Sequence, residues 1–362
     1  MKISEFQKEM EELGTEASVF LCDEPIHDSN IMYFTGFRQT KFHSFSCLII
    51  TIEKSVLLVS RLEYDRALKE AKADEIINLK DYDNNLAKFL KVNLKNVKRV
   101  GIVPDLFPYY LGKKLRGKKF QDISPITRKL RSIKTKKEID LLKKSCSIAS
   151  RGVKLLEQEL KPGITERELA LMLEKYLLER ADAIAFPTIL TSGKRSSYIH
   201  PEPNFSSKKI SRGLGLVDFG VVYRGYCSDI TVPFSIGKLS EKEEAILSAT
   251  ELAYNIILEN LGVGRKTWEI FHEGEKILKR EGFELKHSIG HGLGLDVHED
   301  PNLSPQKKTR KKLFEPELKE NMIFTVEPGV YLPNIGGSRL ENDILMTRKG
   351  PKILTRSKVL EV

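Results

Sequence analysis

Cysteine and tryptophan are scarce in this 362-residue chain, with four of the first and one of the second. Cys22, Cys47, Cys146 and Cys227 lie far apart and form no Cys-x-x-Cys pair, which excludes a thiolate zinc or redox motif and leaves free buried thiols as the reading. Cys227 falls two residues before Asp229 and so shares a strand face with it, which raises the question of sensitivity to thiol reagents. No apolar run approaches the roughly 20 residues needed to cross a bilayer. The opening stretch MKISEFQKEMEEL is amphipathic and lacks the apolar centre of a secretory signal, so the expected location is cytoplasmic. Acids are rare in one region: residues 91–137 carry 15 Lys and Arg against 2 acids, although the net charge of the whole chain is only +10. The positive residues there interleave with Leu, Val and Ile and match no nucleic-acid motif, so a solvated basic surface is expected and a nucleic-acid partner is not.

What is present suits two globular domains. Before a boundary near Ser124 to Lys134, the segments ASVFLCDE, CLIITIE, SVLLVS, EIINL and RVGIVPD read as strands, interleaved with the helical RLEYDRALKEAKA and NNLAKFLKVNL. This predicts an α/β domain over residues 1–130. The second domain, 131–362, opens with a helix whose Ile139, Leu142, Cys146, Ile148, Ala149, Val153 and Leu156 keep helical spacing. Three further helices follow. Thr165 with Glu168 forms a capping-box pattern at the start of one, and Ser240 is the candidate cap of the next. Helix pairs alternating with hairpins predict outer helices around a curved antiparallel sheet.

Five potential metal ligands occur in order in this second domain: Asp218, Asp229, His291, Glu327 and Glu341. Four carboxylates and one imidazole suit Mn²⁺, Co²⁺ or Zn²⁺, and five ligands exceed what one tetrahedral ion takes from a protein. Two divalent cations sharing carboxylates is the economical reading. Asp218 in GLGLVDFG and Asp229 in YCSDITV flank a turn whose midpoint falls between Tyr223 and Arg224, so the two acids are expected opposite each other on a hairpin. Glu327 in MIFTVEPGVY and Glu341 in SRLENDILMT repeat the pattern around Asn334. Like charges so placed repel, and a cation between them is the simplest remedy. His291 sits in HSIGHGLGLDVHEDP, between His287 and His298, with Gly290, Gly292 and Gly294 permitting close backbone approach.

These segments resemble the pita-bread metallopeptidase family, and specifically its Xaa-Pro branch of aminopeptidase P and prolidase. The likeness spans nearly the whole chain: NIMYFTGF at residues 30–37 is similar to the amino-terminal domain of those enzymes, and SRLE, with Arg339, to the Xaa-Pro enzymes rather than to methionine aminopeptidase. The resemblance implies an α/β (α+β) chain with a creatinase/prolidase-like amino-terminal domain and a pita-bread catalytic domain. It implies that Asp218 serves one ion, His291 and Glu327 the other, and that Asp229 and Glu341 bridge both. His200, His287 and His298 match further active-site histidines, with His200, His298 and Arg339 as substrate-binding candidates. The implied activity is hydrolysis of the bond between an amino-terminal residue and a following proline, with hydroxide bridging the two ions, most readily manganese, as nucleophile. Glu327 would relay the proton, and His298 and His287 would stabilise the oxyanion. A homodimer is the family's usual state.

Two alternatives compete. One is a catalytically inactive binding protein on the same fold using the basic surface, and the other a metal-free member resembling creatinase; the complete ligand set counts against both. Asn321 stands where relatives commonly have glycine, although asparagine tolerates the left-handed conformation. The basic loop 305–318 is longer than the family pattern. There, Arg310 with Lys307, Lys308, Lys311 and Lys312 is a candidate cation for a dipeptide carboxylate.

Overall fold

The computed structural model describes residues 2–24, 26–39, 45–306 and 317–362. Most of the basic loop, including Arg310 and its four lysines, lies outside the described residues. The chain forms two compact units, Met1–Arg131 and Ser132–Val362.

In the first unit six strands form one sheet: β1 Ala17–Cys22, β2 Ser46–Thr51, β3 Ser55–Val59, β4 Glu75–Asn78, β5 Arg99–Ile102 and β6 Lys119–Asp122, in the order β4-β3-β2-β1-β5-β6. Every residue of β1 is buried, as a strand covered on both faces requires. On one face Val19, Leu21, Ile49 and Leu58 meet Phe89 and Leu90 of the helix Leu86–Asn93. On the other, Phe20 stacks with Phe6 and Phe34 at ring separations of 5.6 and 5.2 Å. The strand β6 is an addition to the five expected ones. It sits at the sheet edge, where Lys119 is exposed and a charged side chain discourages further pairing.

Among the described residues the second unit has four long helices: α1 Lys136–Glu159, α2 Glu166–Leu178, α3 Glu241–Glu259 and α4 Thr267–Arg280. Reciprocal capping boxes open α1 (Thr135 and Glu138), α2 (Thr165 and Glu168) and α3 (Ser240 and Glu243). Pairs α1–α2 and α3–α4 each pack together. The first pair covers the sheet of β7 Ile189–Ser192, β8 Gly213–Phe219 and β9 Ile230–Ile236, burying Leu169 and Leu173 with Val217 and Val232. Facing the second pair are β10 His291–Gly292, β11 Ile323–Val326 and β14 Asn342–Thr347, with Ile257, Ile270, Phe324 and Ile344 in one cluster. Between β11 and β14 runs the hairpin of β12 Gly329–Leu332 and β13 Gly336–Arg339.

Candidate metal centre

The two hairpins differ in how well their turns predict register. In the second, Gly329 pairs with Arg339 and Val326 with Asn342. Both pairs centre on Asn334, whose φ of 67° places it in the left-handed region, so Glu327 and Glu341 fall opposite each other between the two ladders. In the first, Asp218 pairs with Thr231, not with Asp229. The turn residues are Arg224 and Gly225, at φ 49° and 86°, between the paired Tyr223 and Tyr226. A two-residue turn of this kind needs positive φ at both positions, and Gly225 supplies it one residue later than the acid spacing suggested. The expectation of directly opposed aspartates is therefore corrected: Asp218 and Asp229 are offset by two residues along one face.

The loop before β10 brings the imidazole in by close backbone approach. A Cβ on Gly290 would lie 2.0 Å from the Thr325 carbonyl oxygen, and one on Gly292 would lie 2.2 Å from that of Asp300. His291 Nδ1 lies 3.1 Å from its neighbour's carbonyl at Gly292. A carbonyl only accepts, so Nδ1 carries the proton and Nε2 presents its lone pair. That Nε2 lies 3.4 Å from Glu327 Oε1 and 3.6 Å from Asp229 Oδ2. Ligand atoms of Asp229, His291 and Glu341 all lie within 4.8 Å of one another, and all three residues are buried.

The electrostatics of this cluster call for positive charge. Burial, then the charges of Glu341 and Asp218, push the Asp229 carboxyl well above its ordinary range. Burial, then Glu327 and Asp218, do the same to Glu341. Burial raises Glu327 to about 8 despite the opposing Arg339 charge. Asp218 Oδ2 accepts a hydrogen bond from Arg339 Nη2, whereas its buried Oδ1 has no hydrogen-bond partner among the described residues. An orphaned carboxylate oxygen, an unprotonated imidazole nitrogen and mutually repelling acids fit divalent cations, with the Gly292 carbonyl fixing the histidine tautomer from behind as metal sites commonly do.

Around the acids lies a hydrogen-bond network that joins the expected Arg339 to Thr231, Tyr331, Thr325 and Asp343, which were not among the candidates. Arg339 is 3% exposed. Besides Asp218 it donates from Nη1 to the Tyr331 hydroxyl at 2.7 Å and from Nε to Thr231 Oγ1 at 3.0 Å, and Thr231 in turn donates to Glu341 Oε2 at 2.6 Å. Thr325 Oγ1 accepts from the His291 amide at 3.1 Å. Asp343 Oδ2 accepts from the Asp229 amide and from the buried thiol of Cys146, each at 3.2 Å. Cys227, also buried, directs its sulfur toward the Leu295 carbonyl at 3.5 Å. Thr231 and Tyr331 could have been found from spacing, since they stand two residues after Asp229 and four after Glu327.

The three further histidines stand differently. The ring of His298 lies 4.3 Å from that of His291 and is exposed on one side; burial and the His291 charge lower its pKa. His287 directs Nδ1 at the Ser288 carbonyl, 2.6 Å away, and Nε2 at the Tyr331 hydroxyl, 3.1 Å away. Burial, then the Arg339 charge, lower it to about 4, so the ring is neutral near pH 7 with its proton on Nδ1. His200 is exposed in the loop after β7, and its charge is felt by both His287 and His298.

This fold and this ligand set define a metallopeptidase: the chain belongs to metallopeptidase family M24, whose pattern matches residues 140–348, preceded by a creatinase/prolidase N-terminal domain at residues 2–133. Within the family it is similar to the Xaa-Pro dipeptidase of Pyrococcus furiosus, 34% identical over 336 residues that cover 91% of each chain. Its fold matches the prolidase of Pyrococcus horikoshii, with a TM-score of 0.88, 32% identity and 99% of each chain covered. The X-Pro aminopeptidase of Thermotoga maritima matches with a TM-score of 0.86 and 27% identity, again over 99% of each chain. Among the described residues no helix is long and apolar enough to cross a membrane.

Proposed function

We propose that this chain is an Xaa-Pro peptidase working with two divalent cations, manganese being the first to test. Asp218 would hold one, His291 and Glu327 the other, and Asp229 and Glu341 would touch both. The observation that carries this reading is the convergence of buried ligand atoms from Asp229, His291 and Glu341 within 4.8 Å, beside the unpartnered oxygen of Asp218. The names of the Pyrococcus and Thermotoga relatives support proline in the second position of the substrate. Bound cations supply an acidified water and polarise the scissile carbonyl.

The residues of the chain do the rest. Glu327 stands beside the His291 nitrogen and takes the proton of the attacking water, later passing it to the leaving amine. His298, open on one face, donates to the carbonyl oxygen as it gains charge. Both ring nitrogens of His287 are directed at Ser288 and Tyr331, so we assign it to orienting Tyr331 rather than to the oxyanion. Arg339 fixes Asp218 and Tyr331, and His200 borders the proline side of the substrate. We further propose a homodimer, to be read by sedimentation.

The test is a set of peptides assayed with added Mn²⁺, Co²⁺ or Zn²⁺: Ala-Pro, Ala-Pro-Ala and Ala-Ala. Cleavage of both proline peptides and not of Ala-Ala is expected. In Glu341→Gln, turnover should vanish and metal content fall. Full activity in that variant with two ions per chain would overturn the shared-ligand assignment, and equal rates on Ala-Ala would overturn the proline requirement.

A further inference from the structure

One deeply buried carboxylate in the second unit lies outside the cluster of ligands. Glu166 is 1% exposed and opens α2, yet the helix does not use its side chain: the first-turn amides are served by Thr165 and Glu168. Both its oxygens turn instead to the loop that carries His200. Oε1 accepts from the amide and hydroxyl of Ser192, at 2.9 and 3.0 Å. Oε2 accepts from the amide and hydroxyl of Ser206, at 2.9 and 2.6 Å, and lies 3.3 Å from Arg195 Nε. Ser192 ends β7 and Ser206 lies on the far side of the loop, so a single carboxylate closes both stems of the segment 193–205, with His200 between them.

The rest of the loop is fastened around that clasp. Arg195 Nη2 donates to the Pro203 carbonyl at 2.7 Å, spanning the loop from one side to the other. Ser196 Oγ accepts from the Gly337 amide at 2.8 Å, tying the first stem to β13, the strand that ends in Arg339. The second stem is held additionally by the Arg167 amide, which donates to the Ser206 carbonyl at 2.9 Å. Burying a carboxylate this completely is costly unless charge-assisted donors meet both oxygens. Here every one of those donors belongs to the loop or to one of its two stems.

We propose that Glu166 is a positioning residue for the peptidase reaction, fixing the height and angle of the loop 193–205 so that His200 meets the proline side of the substrate. It rests on the reading of His200 given under the proposed function. The clasp acts on substrate binding, not on the ions or on proton transfer, since it touches neither. Glutamine in place of Glu166 keeps the shape but must turn an NH₂ toward one stem, where a serine amide also donates. One stem is thereby released.

The experiment compares the full-length, manganese-loaded protein with Glu166→Gln, His200→Ala and the double variant on Ala-Pro, with metal content and hydrogen exchange measured alongside. In Glu166→Gln we expect KM to rise about 10-fold, kcat to change less than about 3-fold, metal content to stay unchanged and exchange to accelerate in 193–205. His200→Ala should raise KM alone, and adding it to Glu166→Gln should cost little more, because both act through one contact. If His200→Ala raises KM while Glu166→Gln leaves KM and loop exchange untouched, the clasp is rejected and the reading of His200 survives. If His200→Ala leaves KM unchanged, that reading fails and takes the proposal with it. Loss of metal or a parallel fall of kcat in Glu166→Gln would also reject it. Should that variant not fold, Ser192→Ala, which removes one donor and leaves the carboxylate buried, must show a smaller rise in KM with kcat and metal retained; an unchanged KM there overturns the proposal.

Discussion

At the scale of single residues, the proposed function separates groups that would act on substrate from groups that hold others in place. His298 is exposed beside the His291 ring, where a donor to developing charge would stand. His298→Ala is expected to lower kcat by about 10²-fold with metal content unchanged, as for other single donors of this kind; kinetics with parallel metal analysis checks it, and loss of metal would make His298 a ligand instead. Arg339 belongs to the second group. Its three nitrogens serve Asp218, Tyr331 and Thr231, and a lysine could not reproduce that fork. Replacing it by methionine in metal-free protein leaves Asp218 buried without its counter-charge, a change that typically costs about 3–5 kcal/mol. Urea titration of chelator-treated Arg339→Met should record a loss of that order, with partial recovery when manganese is added.

At the scale of elements, the site depends on how closely two backbones approach beside His291. Gly290 has no room for a methyl group against Thr325. Gly290→Ala should therefore displace β10 from β11 and weaken metal binding by at least about 10-fold, while the first unit, folded around a core of its own, keeps its melting behaviour. Calorimetric titration with Mn²⁺ measures the first and circular dichroism the second. The same scale explains what could be read in advance. The second hairpin was legible because Asn334 marks its centre and the acids lie symmetrically about it. The first was misplaced because acid spacing was used where Gly225 fixes the turn. The strand β6 escaped notice since KFQD has a single apolar residue and makes its hydrogen bonds on one side only. The candidate ligands stand out by chain order and residue type, whereas Glu166 gains its meaning from Ser192 and Ser206, 26 and 40 positions away, which no local pattern records.

At the scale of the whole molecule, the acids make stability depend on both pH and metal. Folded Glu327 keeps its proton up to about 8, while an unfolded glutamate releases it near 4.5. Below about 6.5 His287 works the other way, being neutral in the folded chain and charged in the unfolded one; above it the folded chain binds more protons than the unfolded one, so stability of the metal-free protein falls as pH rises toward about 8. Burial and mutual repulsion move Asp229 and Glu341 in the same direction. Melting temperatures of chelated protein should thus decline from about pH 6.5 to pH 8, and those of manganese-loaded protein should not, because cations replace the protons. A rising curve without metal would mean that the carboxylates are neutralised within the protein itself. The order of the candidate ligands along the chain also bears on cleavage. Asp218 and Asp229 lie before α3 and α4, whereas His291, Glu327 and Glu341 lie after them. A single backbone cut in the connection between those two helices would leave neither piece with a complete set. Bound ions would then hold the two pieces together where the peptide bond no longer does.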